Sequence, residues 1–312
     1  MSLGVVMVTY RCRELALRCL SSVRTQLPGT IDHTVVVDNA SGDGTVEAVE
    51  RHFPTARLIK KRRNVGFAGG ANAGIRALAD CDVIVLLNPD TVLLDGGLAD
   101  AAEYLRQNET VGVLGARIEN PDGTLQPSCR AFPGHLTAVF NKHSLATRFM
   151  PGNRWSEKYL MTDWDHTTVQ PVDWVSGACM VIHRRAIERV GLLDAEYFFS
   201  IEDVDYCRRV RDAGLEVMYF PMARLQHRVG GSSRNNAYRA MTAHHRGMWH
   251  YYRTHMRGGP LVDTITAAGI GGRLALHAGS LAVRRALGKD RRQAVTQAAS
   301  GSAAPAPGGP EA

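Results

Sequence analysis

Three acidic turns carry the chemistry that this sequence is equipped to do. The densest is Tyr197-Phe198-Phe199-Ser200-Ile201-Glu202-Asp203-Val204-Asp205, an aromatic run ending in carboxylates at the head of a predicted helix. Gathering carboxylates beside apolar surface costs free energy unless a proton, a cation or a substrate group compensates. The other two, Asp38-Asn39 and Asn88-Pro89-Asp90, each follow a short apolar run, Val35-Val36-Val37 and Val85-Leu86-Leu87. Acid groups at the carboxyl ends of neighbouring strands are how an open α/β sheet builds a site for a phosphorylated, metal-bound ligand. The arrangement points to an enzyme.

Within these turns, Asp203 at a helix start is suited to take a proton from an attacking hydroxyl, because the helix amino end favours its ionised form. Asp90 at a strand end is suited to bind a divalent cation, whereas Asn88 is neutral and reaches one only through its carbonyl or a water. His227 offers a neutral imidazole as a further ligand. The segment Asn64-Val65-Gly66-Phe67-Ala68-Gly69-Gly70-Ala71-Asn72 gives a glycine-lined helix start whose amides suit a diphosphate, without the GxGxxG spacing. Each feature also has a plainer reading. Asp38 can simply form a turn, Asp43 or Ser41 can cap a helix, and Glu202, Asp203 and Asp205 can be helix-start charges paired with Arg208 and Arg209.

The elements that must position these residues are legible in the hydropathy pattern. Over residues 5–113, short Val/Ile/Leu runs at 5–8, 35–37, 58–59, 83–87 and 111–114 alternate with amphipathic stretches at 13–25, 45–52, 70–79 and 97–106. Such alternation predicts an α/β fold with a buried, mostly parallel sheet flanked by helices. Residues 119–172 read as loops with short helices. A second ordered block spans 174–226, with strands at 179–182 and 217–219. A basic, aromatic helix follows 234 and carries His244, His245, Trp249, Tyr251, Tyr252 and Arg253. The Ala/Pro/Gly/Ser composition after 294 predicts a disordered tail.

The 312 residues are 45% hydrophobic with a net charge of +7, which favours anionic partners such as nucleotides, diphosphate-linked substrates or acidic lipid. No recognised reading motif supports nucleic-acid binding. The six cysteines form no CxxC pair and read as reduced core residues of a cytoplasmic protein. The amino terminus lacks the apolar core of a signal peptide, and no apolar run of about 18 residues predicts a spanning helix. Arginines 246, 253, 257 and 273 among aromatic and apolar residues suggest peripheral contact with an anionic membrane surface.

Taken in order, Val8-Thr9-Tyr10, Val37-Asp38-Asn39-Ala40-Ser41, Asn64-Val65-Gly66-Phe67-Ala68-Gly69-Gly70, Asn88-Pro89-Asp90, Gly177-Ala178-Cys179-Met180, Glu202-Asp203-Val204-Asp205 and His227 resemble the family 2 inverting glycosyltransferases, in their rhamnosyltransferase-like branch. The resemblance covers residues 5–257 and implies a GT-A fold with a Rossmann-like sheet and a carboxyl-terminal helical extension. It implies a catalytic domain over 1–230, divided near 118 into nucleotide-sugar and acceptor halves, and an extension over 231–293. It further implies Asp203 as catalytic base beside Glu202. Thr9, Tyr10, Asp38, Asn39, Asn64, Gly66, Gly70, Asn72 and Asn88 would serve the nucleotide sugar, and Trp174, Gly177 and Ala178 the acceptor. Asp90 and His227 would hold Mg2+ or Mn2+. Asn88 departs from the first acid of the family's DxD motif. The implied donor is dTDP-rhamnose, with a UDP-hexose as the alternative, and the acceptor a glycan or a polyprenyl-diphosphate-linked sugar. Self-association as a homodimer stays open, as does a non-catalytic nucleotide-sugar-binding role.

Overall fold

The computed structural model describes residues 2–134, 159, 161, 164–228 and 237–286. The predicted tail after 294 lies outside the described residues. Strands β1 to β6 span Leu3–Thr9, Thr34–Asp38, Arg57–Lys60, Val83–Leu87, Thr91–Leu93 and Val111–Glu119. Strands β7 to β12 span Leu125–Gln126, Cys129–Arg130, Gln170–Pro171, Trp174–Val175, Cys179–His183 and Glu216–His227. Helices α1 to α4 span Arg13–Gln26, Thr45–His52, Gly66–Ala77 and Gly97–Gln107. Helices α5 to α8 span Arg184–Val190, Glu202–Asp212, Ala237–His255 and Pro260–Ala286.

The main sheet runs in the order β3-β2-β1-β4-β11-β6-β12-β5. Its first four strands are parallel, β11 runs antiparallel between β4 and β6, and β12 lies parallel to β6. Alternate residues of each strand face two separate cores, as the two-residue period of a strand requires. Val5, Met7, Val83, Val85 and Leu87 pack with α1 and α4, while Val6, Val8, Ile84 and Leu86 pack with α3, α5 and α6. Burial on both faces explains why these strands read as unbroken apolar runs. The chain moves outward from β1 to β2 and β3, then returns to place β4 on the other side of β1. That reversal opens a crevice beyond the carboxyl ends of β1, β2 and β4, where Thr9, Asp38 and Asn88 stand.

Two elements depart from the sequence expectation. The strand expected to end at Tyr219 continues to His227, because irregularities between Phe220 and Arg224 let β12 bend past Pro221 and resume pairing with β6. Helix α3 begins at Gly66, ahead of the expected start at 70, with the Asn64 side chain accepting from the Gly66 amide at 2.9 Å. All six cysteines are buried and unpaired, and burial pushes the thiols of Cys12, Cys19 and Cys129 up to about 12.

The chain divides into compact units over residues 1–259 and 260–312. Helix α7 therefore belongs to the first unit, beyond the boundary near 230 read from the sequence. Its Tyr251 and Tyr252 are only 3% exposed, so these rings pack inside the protein and are withdrawn from the membrane contact suggested for them. Arg246, Arg253 and Arg257 remain exposed. In the second unit, α8 carries Leu261, Ile265, Leu276 and Val283 at 74%, 63%, 76% and 58% exposure. At 100° per residue these four project from one side of the helix.

Candidate active site

The floor of the crevice is built by the turns that end β1 and β2. Thr9 donates its hydroxyl to Asp38 Oδ1 at 3.0 Å, and Asp38 Oδ2 accepts from the Ser41 amide at 3.0 Å. The Ser41 hydroxyl also bonds Asp38. Asp38 is thus buried as the clasp of an Asx-type turn, with its oxygens directed into the protein. Asn39 follows, and its side-chain amide donates to the Gly66 carbonyl at 2.9 Å, tying the β2 turn to the start of α3. Gly70 lets α3 lie against β1, since a Cβ there would stand 2.7 Å from a Val8 methyl. Asn72 is a strut: its side chain both donates to and accepts from the backbone of Leu193, at 2.7 and 3.0 Å.

The opposite wall comes from the acidic turn. Ser200 and Ile201 adopt φ values of 58° and 74°, and Ile201 precedes the first residue of α6. A β-branched residue in the left-handed region is a costly conformation that persists only where its surroundings enforce it. Here the enforcement is visible. The Phe198 carbonyl accepts from the Phe67 amide at 3.0 Å, and the Ser200 hydroxyl hydrogen-bonds His244 Nδ1 on α7 at 2.7 Å. Below the turn, buried Asp205 accepts from Arg209 Nε on its own helix and pairs with His255 Nε2 on α7, both at 2.8 Å. Burial alone would raise the Asp205 carboxyl, but His255 and Arg209 hold it below the ordinary range. The helix-charge reading therefore describes Asp205 with Arg209, while Arg208 pairs with Asp212 instead.

Glu202 and Asp203 are left to the cleft. Asp203 Oδ2 accepts from the Gly177 amide at 2.8 Å and Oδ1 from the Val204 amide at 2.9 Å. Burial raises the Asp203 carboxyl above its ordinary range, against these two amides, which favour its charged form. Glu202 is more deeply buried, and its Oε2 has no hydrogen-bond partner among the described residues. Burial, and next the charge of Asp203, raise Glu202 well above the usual carboxylate range. The two neighbours thus differ in their surroundings: Asp203 has two amide donors, while the Glu202 side chain has an oxygen with no partner among the described residues.

On the remaining side, the end of β4 meets the end of β12. Asn88 donates its amide to the Ala178 carbonyl at 3.0 Å, which fixes the Asn88-Pro89-Asp90 turn against the Gly177-Ala178 segment. His227 pairs across the sheet edge with Thr91, and its Nε2 stands 3.4 Å from Asp90 Oδ1. A carboxylate and an imidazole nitrogen converging at that distance fit a divalent cation whose other ligands are phosphate oxygens and water. Among the described residues, no cluster of three or more His, Cys, Asp or Glu side chains forms a fuller set.

These walls enclose a cleft of about 240 Å³. Of the residues singled out from the sequence, Thr9, Tyr10, Asn39, Asn64, Gly66, Asn88, Gly177, Ala178, Glu202, Asp203 and His227 line it. Asp38, Gly70, Asn72, Asp90 and Trp174 do not. Asp90 is buried beside His227, and Trp174 donates its indole N–H to the Ala131 carbonyl at 2.9 Å. Sequence reasoning missed Arg239, which lines the cleft from α7 with its guanidinium 4.4 Å from the centre of the Phe198 ring. No motif marks it, and only the packing of α7 brings it there.

Comparison with known proteins bears on the family and the fold. The sequence model described as Glycosyl transferase family 2 matches residues 4–191. The N-acetylglucosaminyl-diphospho-decaprenol L-rhamnosyltransferase of Mycobacterium tuberculosis is 29% identical over 306 residues, 93% of this chain and 96% of the relative. The dTDP-rhamnosyl transferase RfbF of Shigella flexneri is 24% identical over 73% of this chain and 69% of its own. Among solved structures, GalNAc-T7 with UDP, GalNAc and Mn2+ superposes with a TM-score of 0.57 at 14% identity, over 75% of this chain and 44% of that one. The mannosyltransferase PcManGT from Pyrobaculum calidifontis, with GDP-Man and Mn2+, gives 0.55 at 19% identity, over 95% and 79%. These superpositions show that the fold is of the GT-A type.

Proposed function

The chain belongs to glycosyl transferase family 2, and on that premise we propose that it moves L-rhamnose from dTDP-rhamnose to a polyprenyl-diphosphate-linked sugar in cell-wall or surface polysaccharide synthesis. The observation that carries this reading is the convergence of four distant stretches on one cleft: Thr9 with Asn39, Asn64 with Gly66, Asn88 with His227, and Glu202 with Asp203. The relatives' activities support the choice of sugar and of a lipid diphosphate acceptor.

In the proposed reaction Asp203 takes the proton of the acceptor hydroxyl as that oxygen bonds to the anomeric carbon. The bond from that carbon to the diphosphate breaks on the opposite face, and the nucleoside diphosphate leaves with the electron pair, so configuration inverts. Raising the Asp203 carboxyl makes it a stronger base than a solvent-exposed aspartate, while the Gly177 and Val204 amides hold both oxygens in place. Glu202, whose burial favours its neutral form, turns an oxygen without a partner among the described residues to the same cleft, where it would meet the bound sugar. Mg2+ or Mn2+ held by Asp90 and His227 would supply charge neutralisation for the departing diphosphate. Incubating the protein with dTDP-rhamnose, UDP-hexoses and GDP-mannose, each with a polyprenyl-diphosphate-linked N-acetylhexosamine, tests the proposal. Rhamnose transfer with an inverted anomeric centre is expected, and consumption of another donor in preference would overturn the assignment of donor.

Such an acceptor lies at a membrane, and among the described residues no helix is long and apolar enough to cross one. The exposed apolar side of α8, with its cationic Arg273, suits a peripheral position on the cytoplasmic face instead. The full-length protein is expected to float with anionic vesicles, and Ile265→Glu with Leu276→Glu to stay in the dense fraction. Equal flotation of both would refute this role for α8.

A further inference from the structure

The cleft's histidine is not held by Asp90 alone. His227 Nδ1 lies 2.8 Å from Gln126 Oε1, the side chain of a residue on the short strand β7. An amide oxygen only accepts, so the hydrogen of that contact must reside on Nδ1. Which end of the Gln126 amide is the oxygen is settled by what holds its nitrogen. Gln126 Nε2 donates to Asn120 Oδ1 at 3.3 Å, Asn120 Nδ2 donates to Thr124 Oγ1 at 2.9 Å, and the Thr124 hydroxyl donates to Asp122 Oδ1 at 2.6 Å. Every donor in the series points away from the cleft and toward one carboxylate, which has nothing to give back. Hydrogen bonds from the Thr124 hydroxyl and amide hold the Asp122 carboxyl below its ordinary range, so it stays an acceptor.

The series is built by the hairpin Asn120-Pro121-Asp122-Gly123-Thr124 between β6 and β7. The Asn120 amide donates to the Thr124 carbonyl at 2.8 Å, and Gly123 takes a φ of 82° to close the turn. In register, Gln126 stands opposite Ile118 of β6, and β12 lies along the other side of that strand. Gln126 therefore reaches across β6 to the ring of His227. In the neutral ring, a proton held on Nδ1 leaves the lone pair on Nε2, the nitrogen that faces Asp90. An outer hydrogen bond of this kind selects the tautomer, orients the ring and raises the basicity of the ligating nitrogen.

We propose that Gln126 is a positioning residue, which fixes His227 as its Nδ1–H tautomer and so aims Nε2, together with Asp90, at a divalent cation in the cleft. The proposal rests on the glycosyltransferase reading of the site, but its first consequence is measurable without any metal. In full-length protein carrying 15N-labelled histidine, the ring nitrogen shifts of His227 should report the Nδ1–H tautomer, and Gln126→Leu should convert it to a mixture. The same substitution should weaken Mn2+ binding, followed by electron paramagnetic resonance with nucleoside diphosphate present, by about 10–100-fold. Gln126→Glu, which keeps an acceptor facing Nδ1, should restore both readouts and so separates positioning from a general loss of fold. An unchanged tautomer and unchanged Mn2+ affinity in Gln126→Leu would overturn the proposal, as would failure of Gln126→Glu to recover either. If the unaltered protein bound no Mn2+, the cation reading would fall, while the tautomer measurement would still decide what Gln126 does.

Discussion

Asp203→Asn is expected to lower sugar transfer by about 10²–10⁴-fold, the usual contribution of a positioned proton acceptor, while nucleoside diphosphate binding is unchanged. The asparagine fills the same volume, so the walls of the cleft stay in place. What it loses is the negative oxygen proposed to receive the acceptor's proton, and one of the two amide hydrogen bonds from Gly177 and Val204, because an NH2 group cannot accept. Equal losses in kcat and kcat/KM would mark an interaction made only in the transition state. Near-normal turnover would remove Asp203 from the mechanism. In the unaltered protein the rate should fall on acidification as Asp203 takes up a proton, with a midpoint above the ordinary aspartate value of 3.8, because burial raises it. The stability sign is the reverse of a salt-bridged acid. A raised carboxyl is fully tolerated below pH 3.8, and its contribution to stability is lost as pH rises through the folded-state midpoint. Replacing it with a neutral amide relieves that loss at neutral pH and opposes the cost of the missing hydrogen bond. Thermal melting can therefore distinguish loss of chemistry from loss of structure.

Gly66→Ala should be the most damaging single methyl group in the cleft. Gly66 has a φ of 81°, and a Cβ placed on it would lie 2.5 Å from the Phe198 carbonyl oxygen and 2.9 Å from the Phe198 Cα. Both are backbone atoms, so no side chain can rotate away. The left-handed backbone costs an alanine about 1–2 kcal/mol, and the overpacking roughly 1–3 kcal/mol more. If the structure yields, it yields at Phe198, whose carbonyl also receives the Phe67 amide and whose chain leads directly into Ser200, Ile201 and Asp203. A displacement of about 1 Å at a catalytic group costs on the order of 10² in rate. The expected outcome is a lower melting temperature together with impaired transfer. A variant with unchanged melting temperature and rate would mean that the α3 start and the acidic turn are not rigidly joined.

How much of this was legible depended on whether the signal was local. The strands around Val5, Val36 and Val85 were readable because burial on both faces leaves no polar residue to interrupt them. The extension of β12 to His227 was hidden by Pro221 and Arg224, which break an apolar run but are absorbed by irregular pairing. The start of α3 is hidden because Gly66, Gly69 and Gly70 are poor helix formers, and what overrides them is tertiary, from Asn39, Phe198 and Val8. In the cleft, carboxylates at strand and helix ends announced themselves through their cost. Asn72 looked equally suitable, yet its amide is used by the Leu193 backbone, a contact between residues 121 apart. Gln126 and Arg239 carried no local pattern, since each acquires meaning only from the element folded against it. Tyr251 and Tyr252 misled in the opposite direction, because an aromatic helix face looks alike whether it meets lipid or protein.

The clamp on the acidic turn has a consequence for the order in which the enzyme matures. His244 lies 44 residues after Ser200, and His255 lies 50 residues after Asp205. A ribosome has therefore made Glu202 and Asp203 well before it makes the side chains that brace them. Until then Asp205 has Arg209 as its cationic partner among the described residues, and the left-handed pair has no brace from α7. The brace is made last, with the helix that follows the acidic turn in sequence and packs against it in space.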